Sequence, residues 1–141
     1  MKYPALFTEA PEGGYTVTFR DIPEAITEGQ TLEEAREMAA DALLTAMDFY
    51  FEDGRAVPDP SAPEAGEELV ALPLSVWAKV QLLNLRIQKN ARPADIARAM
   101  GIKPQEVTRI LDLHHATKID TLAAAFHAMD SELSIAVIPA I

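Results

Sequence analysis

The chain has no cysteine. That excludes a disulfide framework, a thiolate nucleophile and any zinc site built on cysteine, and it fits a reducing compartment. No window approaches the roughly 18 apolar residues that a membrane span requires. The opening MKYPALFTEAPEGG lacks the apolar core of a signal peptide and meets a proline and an acid early, so a cytoplasmic location is expected. No internal repeat is visible. Basic residues are also scarce, 12 against 22 acids for a net charge of −10, which at first argues against a nucleic-acid partner. Apolar residues are not scarce: they make up 49% of the 141 residues, enough for a packed core in one ordinary domain or two small ones.

The net charge hides an uneven distribution. Residues 1–68 hold four bases (Lys2, Arg20, Arg36, Arg55) against 16 acids, a net of −12. Residues 69–141 hold eight bases against six acids, a net of +2. Such asymmetry suggests two modules with different partners. The alternative is that the charge merely keeps a small domain soluble.

In the first module residues 3–8 and 15–20 read as strands. Tyr15, Val17 and Phe19 alternate with Thr16, Thr18 and Arg20, and Pro11-Glu12-Gly13-Gly14 supplies the turn of a hairpin. A short third strand fits Ala25–Glu28. Thr31 then opens a helix with Glu34 three residues on, the pattern of a capping box. Leu32, Ala35, Ala39, Leu43, Ala46 and Tyr50 share one face of that helix, and Gly54 is its stop. Residues 55–68, rich in proline and acids, read as a loop or linker, and Leu69–Leu72 as a returning strand. The expected order is β-β-β-α-β. At about 70 residues such a module is close to the lower limit for an unaided core, which makes assembly with a partner plausible.

From Ser75, expected to act as an N-cap, the pattern becomes helical. Val76, Val80, Leu83 and Ile87 form one stripe, with Trp77 as a core or rim aromatic. Further helices are expected from Pro93 to Met100 with a stop at Gly101, from Pro104 to about Leu113, and from Ile119 to Met129. The stretch ADIARAMGIKPQEVTRIL carries the most chemistry. Two short helices crossing steeply need a small residue at the contact, which Ala97 supplies, and a turn residue tolerant of positive φ, which Gly101 supplies. Val107 and Ile110, with Ile96 and Met100, would fill the shared core. Gln105, Glu106, Thr108 and Arg109 would lie outward, and these residue types read base edges and phosphates in a major groove. Arg92, Arg98, Lys103, Arg109 and Lys118 are candidate phosphate contacts, with His114 near the backbone. The alternative is an ordinary helical hairpin with solvated charges.

His114 and His115 are adjacent and diverge on a helix, so no metal site is expected there. Asp21, Glu24, Glu37, Asp41 and Asp48 are available for nuclease chemistry, but nothing in their spacing marks a metal cage, so a solvated acidic face is preferred. No catalytic set and no cofactor are expected. The closing run LSIAVI is strongly β-forming yet follows four helices. We expect it to pair with the same strand of a second chain through Leu133, Ile135 and Val137, giving a homodimer or higher homo-oligomer; folding back onto the first sheet is the alternative.

Four stretches resemble the HicB antitoxins of HicA/HicB toxin–antitoxin systems: KYPALFTEAPEGGYTVTFRDIPEAITEG, LEEAREMAADALLTAMDFYFEDG, LPLSVWAKVQLLN and QEVTRILDLHHATKIDTL. The resemblance covers nearly the whole chain. It implies an α+β architecture: a degenerate ribonuclease H-like domain over residues 1–72, with a linker at about 55–68, and a helix-turn-helix domain with a terminal β-strand over residues 73–141. It also implies a small basic HicA-like ribonuclease toxin as partner, operator double-stranded DNA as ligand and no membrane association. A full ribonuclease H carboxylate set does not map onto these residues, so an inert first domain is expected and an active nuclease is the weak alternative. A stand-alone transcription regulator with a sensing first domain is the other reading.

Overall fold

The turn signal at residues 11–14 joins two antiparallel strands, β1 (Lys2–Glu9) and β2 (Tyr15–Thr18), with Phe7 opposite Val17 and Glu9 opposite Tyr15. The computed structural model describes residues 1–140; residue 141, the last of the expected C-terminal domain, lies outside the described residues. The chain divides into two compact units, residues 1–77 and residues from 78 onward.

In the first unit β3 (Ile26–Gly29) and β4 (Glu67–Ala71) complete an antiparallel sheet in the order β3-β2-β1-β4. The third strand starts one residue later than Ala25, whose N–H closes a turn onto the Ile22 carbonyl. The fourth begins at Glu67, before the apolar run, because pairing with β1 sets its end: Leu6 lies opposite Glu67. Helix α1 (Leu32–Asp53) covers one sheet face. Its Thr31 hydroxyl accepts from the Glu34 N–H at 3.0 Å, and Ala35, Ala39, Leu43, Ala46, Met47 and Tyr50 are buried. Tyr3, Ala5, Val17 and Val70 are buried beneath it. The helix approaches β3 closely, since a Cβ on Gly29 would stand 2.5 Å from the Ala35 nitrogen.

Residues 55–66 form a fixed loop within this unit. The Tyr3 hydroxyl donates to the Pro58 carbonyl (2.7 Å) and Arg20 to the Ala62 carbonyl (2.6 Å). Ser61 donates its N–H and hydroxyl to the Asp21 carboxylate, and Val57 is buried.

Helix α2 (Leu74–Gln88) starts one residue before Ser75, so Ser75 is not its N-cap; the Trp77 N–H donates to the Pro73 carbonyl. The division between the two units falls inside this helix, after Trp77. Then come α3 (Pro93–Met100), α4 (Pro104–Leu111) and α5 (Ile119–His127). Leu82, Ile96, Ala97, Val107, Ile110, Leu122, Ala125 and Phe126 form the core of the second unit. The architecture is mixed α+β, as expected. The terminal strand is not formed in the single chain: residues 131–140 are irregular, because a strand needs a paired neighbour and none of the four sheet strands is joined to them.

Candidate functional site

Helices α3 and α4 are joined by three residues, Gly101-Ile102-Lys103. Gly101 has φ 70°, a left-handed conformation with no Cβ penalty, and the Ile102 N–H returns to the Ala97 carbonyl at 3.0 Å. The chain can therefore reverse within one short turn. Proline at the first position of both helices fixes φ where no helical N–H is needed. Ala97 (2% exposed), Val107 (1%) and Ile110 (4%) lie in the core, which turns Gln105, Glu106, Thr108 and Arg109 outward. The Thr108 hydroxyl donates back to the Pro104 carbonyl at 3.2 Å, so its donor is engaged on its own helix.

One groove brings together Glu106, Arg109 and Lys118, over Ile102, Ile110 and Ala124. His115, rather than His114, joins its lining. Arg92, Arg98, Lys103 and His114 are exposed but outside that groove. Arg92 and Arg98 both reach toward Asp95 at 3.4 Å. Bonds from the Arg92 backbone, then from its guanidinium, hold the Asp95 carboxyl below the usual carboxylate range. His114 donates its backbone N–H to the Asp112 carboxylate at 2.9 Å. Of the expected dimerisation residues, Leu133 packs partly against the core of its own unit, whereas Ile135 and Val137 are exposed by 75% and 98%.

Sequence reasoning missed Lys79. It sits 4% exposed on α2, and its ammonium donates to the carbonyls of Asp112 (2.6 Å) and His115 and to the Thr117 hydroxyl (2.9 Å), with a longer approach to the Arg109 carbonyl (3.4 Å). The cation thus sits at the carbonyl end of α4, where the helix dipole favours positive charge, and ties down residues 112–117. Burial pushes its pKa below the usual lysine range, with the Asp112 carboxylate opposing. The signal was present: Lys79 adjoins Val80 and lies three residues before Leu82, inside the buried arc of Val80, Leu82 and Leu83. That arc is wider than the expected stripe, and Ile87 is only half-buried.

In the first unit the three arginines are each held by acids. Arg20 forks onto Glu67 (2.9 and 3.0 Å), Arg36 onto Glu68 (2.9 and 2.8 Å), and Arg55 bridges Glu24 and Asp53. These bonds keep the Glu67 and Glu68 carboxyls below their ordinary pKa. The Tyr50 hydroxyl donates to Glu24 at 2.5 Å, which lowers the Glu24 pKa; burial and this bond raise Tyr50 to about 12. Asp21 and Glu24 are therefore structural partners of Ser61, Tyr50 and Arg55. Among the described residues no three acidic or histidine side chains converge in a way suited to a metal ion, and no helix is long and apolar enough to cross a membrane.

Comparison with known proteins adds four findings. The family model described as HicB-like antitoxin of bacterial toxin–antitoxin systems matches residues 2–81. Antitoxin HicB of Escherichia coli (strain K12) is 50% identical over 138 residues, covering 98% of this chain and 100% of the relative. Antitoxin HicB 2 of Photorhabdus laumondii is 51% identical over 138 residues, 98% of this chain and 97% of the relative, and Antitoxin HicB of Pseudomonas fluorescens is 32% identical over 134 residues, 94% and 92%.

Proposed function

Since the chain belongs to the HicB-like antitoxins of bacterial toxin–antitoxin systems, we propose that its two units divide the work of neutralisation and repression. The first unit binds a small basic HicA-like ribonuclease and masks its RNA-binding surface. Opposite charge speeds the encounter, and buried apolar contacts supply the durable affinity. The second unit binds operator DNA with α4 as its reading helix. Gln105, Glu106, Thr108 and Arg109 face the bases, and Arg92, Arg98, Lys103, His114 and Lys118 approach the phosphates. The observation that carries the DNA reading is the two-sidedness of α4, with Val107 and Ile110 in the core and an unbroken polar outer face.

Two copies assemble through residues 133–138, which leave Ile135, Val137 and Ile138 exposed in the single chain. A two-fold axis would set two reading helices about 34 Å apart, the spacing of a palindromic operator. The protein acts from the cytoplasm, without cofactor and without catalysis of its own.

The test is a pair of assays on the full chain. Gel shifts compare its own promoter DNA with random DNA at moderate salt, and co-expression with the product of the adjoining reading frame scores rescue from toxicity. Arg109→Ala should weaken promoter binding by roughly 1–3 kcal/mol if it pairs with a guanine, and leave rescue intact. No preference for the promoter would sink the repressor reading. Repression without rescue would favour a stand-alone regulator instead.

A further inference from the structure

The sheet of the first unit has two faces, and α1 covers one of them. Paired residues in antiparallel strands point to the same face. Ile26, Thr18, Leu6 and Glu67 are successive partners across β3, β2, β1 and β4, so they form one row. This row lies opposite the face that carries Ala5 and Val17, which are fully buried. On it, Ile26 is exposed by 64%, Leu6 by 43% and Leu69, the partner of Pro4, by 47%. Leu69 and Leu6 are thus diagonal neighbours across β4 and β1, and Leu6 and Ile26 line one groove with Thr18 between them, on a surface that belongs to neither the core nor the DNA-facing helix. Single exposed apolar residues need no explanation, but a contiguous group rimmed by charge marks a contact site.

The surroundings indicate what kind of molecule fits. A groove runs along the row, floored by Leu6, Thr18, Ile26 and Pro23 and walled by Glu64 and Glu67. Glu28, two residues from Ile26 on the same face, adds another exposed acid. Arg20 and Glu67 are paired with each other in this wall, the Arg20 guanidinium also donating to the Ala62 carbonyl, so the exposed acids of the rim are Glu28 and Glu64. An apolar centre with an acidic rim, on a unit of net charge −12, complements an apolar centre with a basic rim. The outer side of α1 also exposes Met38 and Phe49 (39% and 49%), but these lie eleven positions apart and do not adjoin.

We propose that the helix-free sheet face, centred on Leu6, Ile26 and Leu69, is the docking surface for a basic protein. This rests on the reading of the first unit as the toxin-binding half, and it names the surface that half uses. Ile26 sits on an edge strand and anchors the contact, while Glu28 and Glu64 set its charge register.

The experiment uses the full chain and a catalytically silenced form of the basic protein encoded beside it, titrated calorimetrically. Ile26→Arg and Leu69→Arg should each weaken binding by about 100-fold, the size expected when an interface anchor is lost. The milder Ile26→Thr, which suits a strand and removes apolar area without adding charge, should weaken it by about 10-fold. Met38→Arg and Phe49→Arg should bind as the parent does. Unchanged melting temperature and promoter binding establish that each variant is folded. Sheet-face variants that bind within about threefold of the parent, or a loss confined to the α1 variants, would overturn the proposal. A parent chain that does not bind the basic protein at all would instead overturn the antitoxin reading on which it rests.

Discussion

Replacing Lys79 with methionine keeps the side chain's length and apolar stem but removes the ammonium that three oxygens at 2.9 Å or less surround. Hydrogen bonds to a charged group contribute roughly 1.5–3 kcal/mol each before other terms are set against them. Two terms reduce that figure. The ammonium no longer has to be desolvated, which recovers several kcal/mol, and Asp112 and His115 are exposed residues, so water can take over part of the bonding to their carbonyls. The net loss should be about 2 kcal/mol, or roughly 10 °C in the melting of the second unit at about 4–8 °C per kcal/mol for a domain of that size. Because the lost bonds hold the end of α4 and the segment that follows it, promoter binding should fall as well, with an unchanged salt dependence since no phosphate contact is removed. Differential scanning calorimetry and gel shifts on Lys79→Met measure both. A variant that melts within about 2 °C of the parent would show that the cage contributes nothing net, as buried ions sometimes do.

Three other outcomes are expected. Glu24, Glu67 and Glu68 have folded pKa values below the free value of 4.5, so the unfolded chain binds more protons than the folded one over that range. Their stabilisation is present above about pH 4.5 and is lost as pH falls through the folded values; the urea midpoint of the first unit should drop between pH 5 and pH 3, less steeply in Arg20→Gln, and a flat midpoint in the parent would contradict it. Gly29→Ala places a methyl against the backbone of α1 and should destabilise the first unit by roughly 1–3 kcal/mol, read as a lower melting temperature; a neutral result would mean that the helix shifts freely. Deleting residues 132–141 should leave a monomer by light scattering, and a truncated chain that still dimerises and still binds a full palindrome would remove the tail as the dimer element.

The parts of this fold that were legible in advance are those determined locally. Pro93, Gly101 and Pro104 set both ends of α3 and the start of α4 through backbone rules that need no tertiary partner, and these agree with the structure, whereas α4 ends at Leu111, two residues before the expected Leu113. Thr31 and Gly54 did the same for α1. The outward set on α4 followed from the same periodicity. What escaped depends on neighbours. Lys79 is buried because α4 and the segment after it bring carbonyls to it from 30 to 36 positions away. The start of β4 at Glu67 is set by its register with Leu6 rather than by its own apolar run. Prolines and acids made residues 55–66 look like a linker, whereas Tyr3, Arg20 and Asp21, all distant in sequence, pin that loop. The terminal run reads as a strand on composition, but a ladder needs a partner that the single chain does not offer.

That pinned loop bears on how long the protein survives. A protease cuts chain that leaves the fold locally, and exposed loop tips of small and polar residues are usual points of attack. Here residues 57–62 cannot lift away without exposing Val57 and breaking the bonds to Tyr3, Arg20 and Asp21 together, so cleavage there follows the wider opening of the first unit rather than a local excursion. Residues 134–140, exposed and irregular, meet no such requirement. Digestion of the single chain should therefore begin in residues 134–140, whereas the loop of the first unit is cut only as that unit opens, at a rate set by its unfolding.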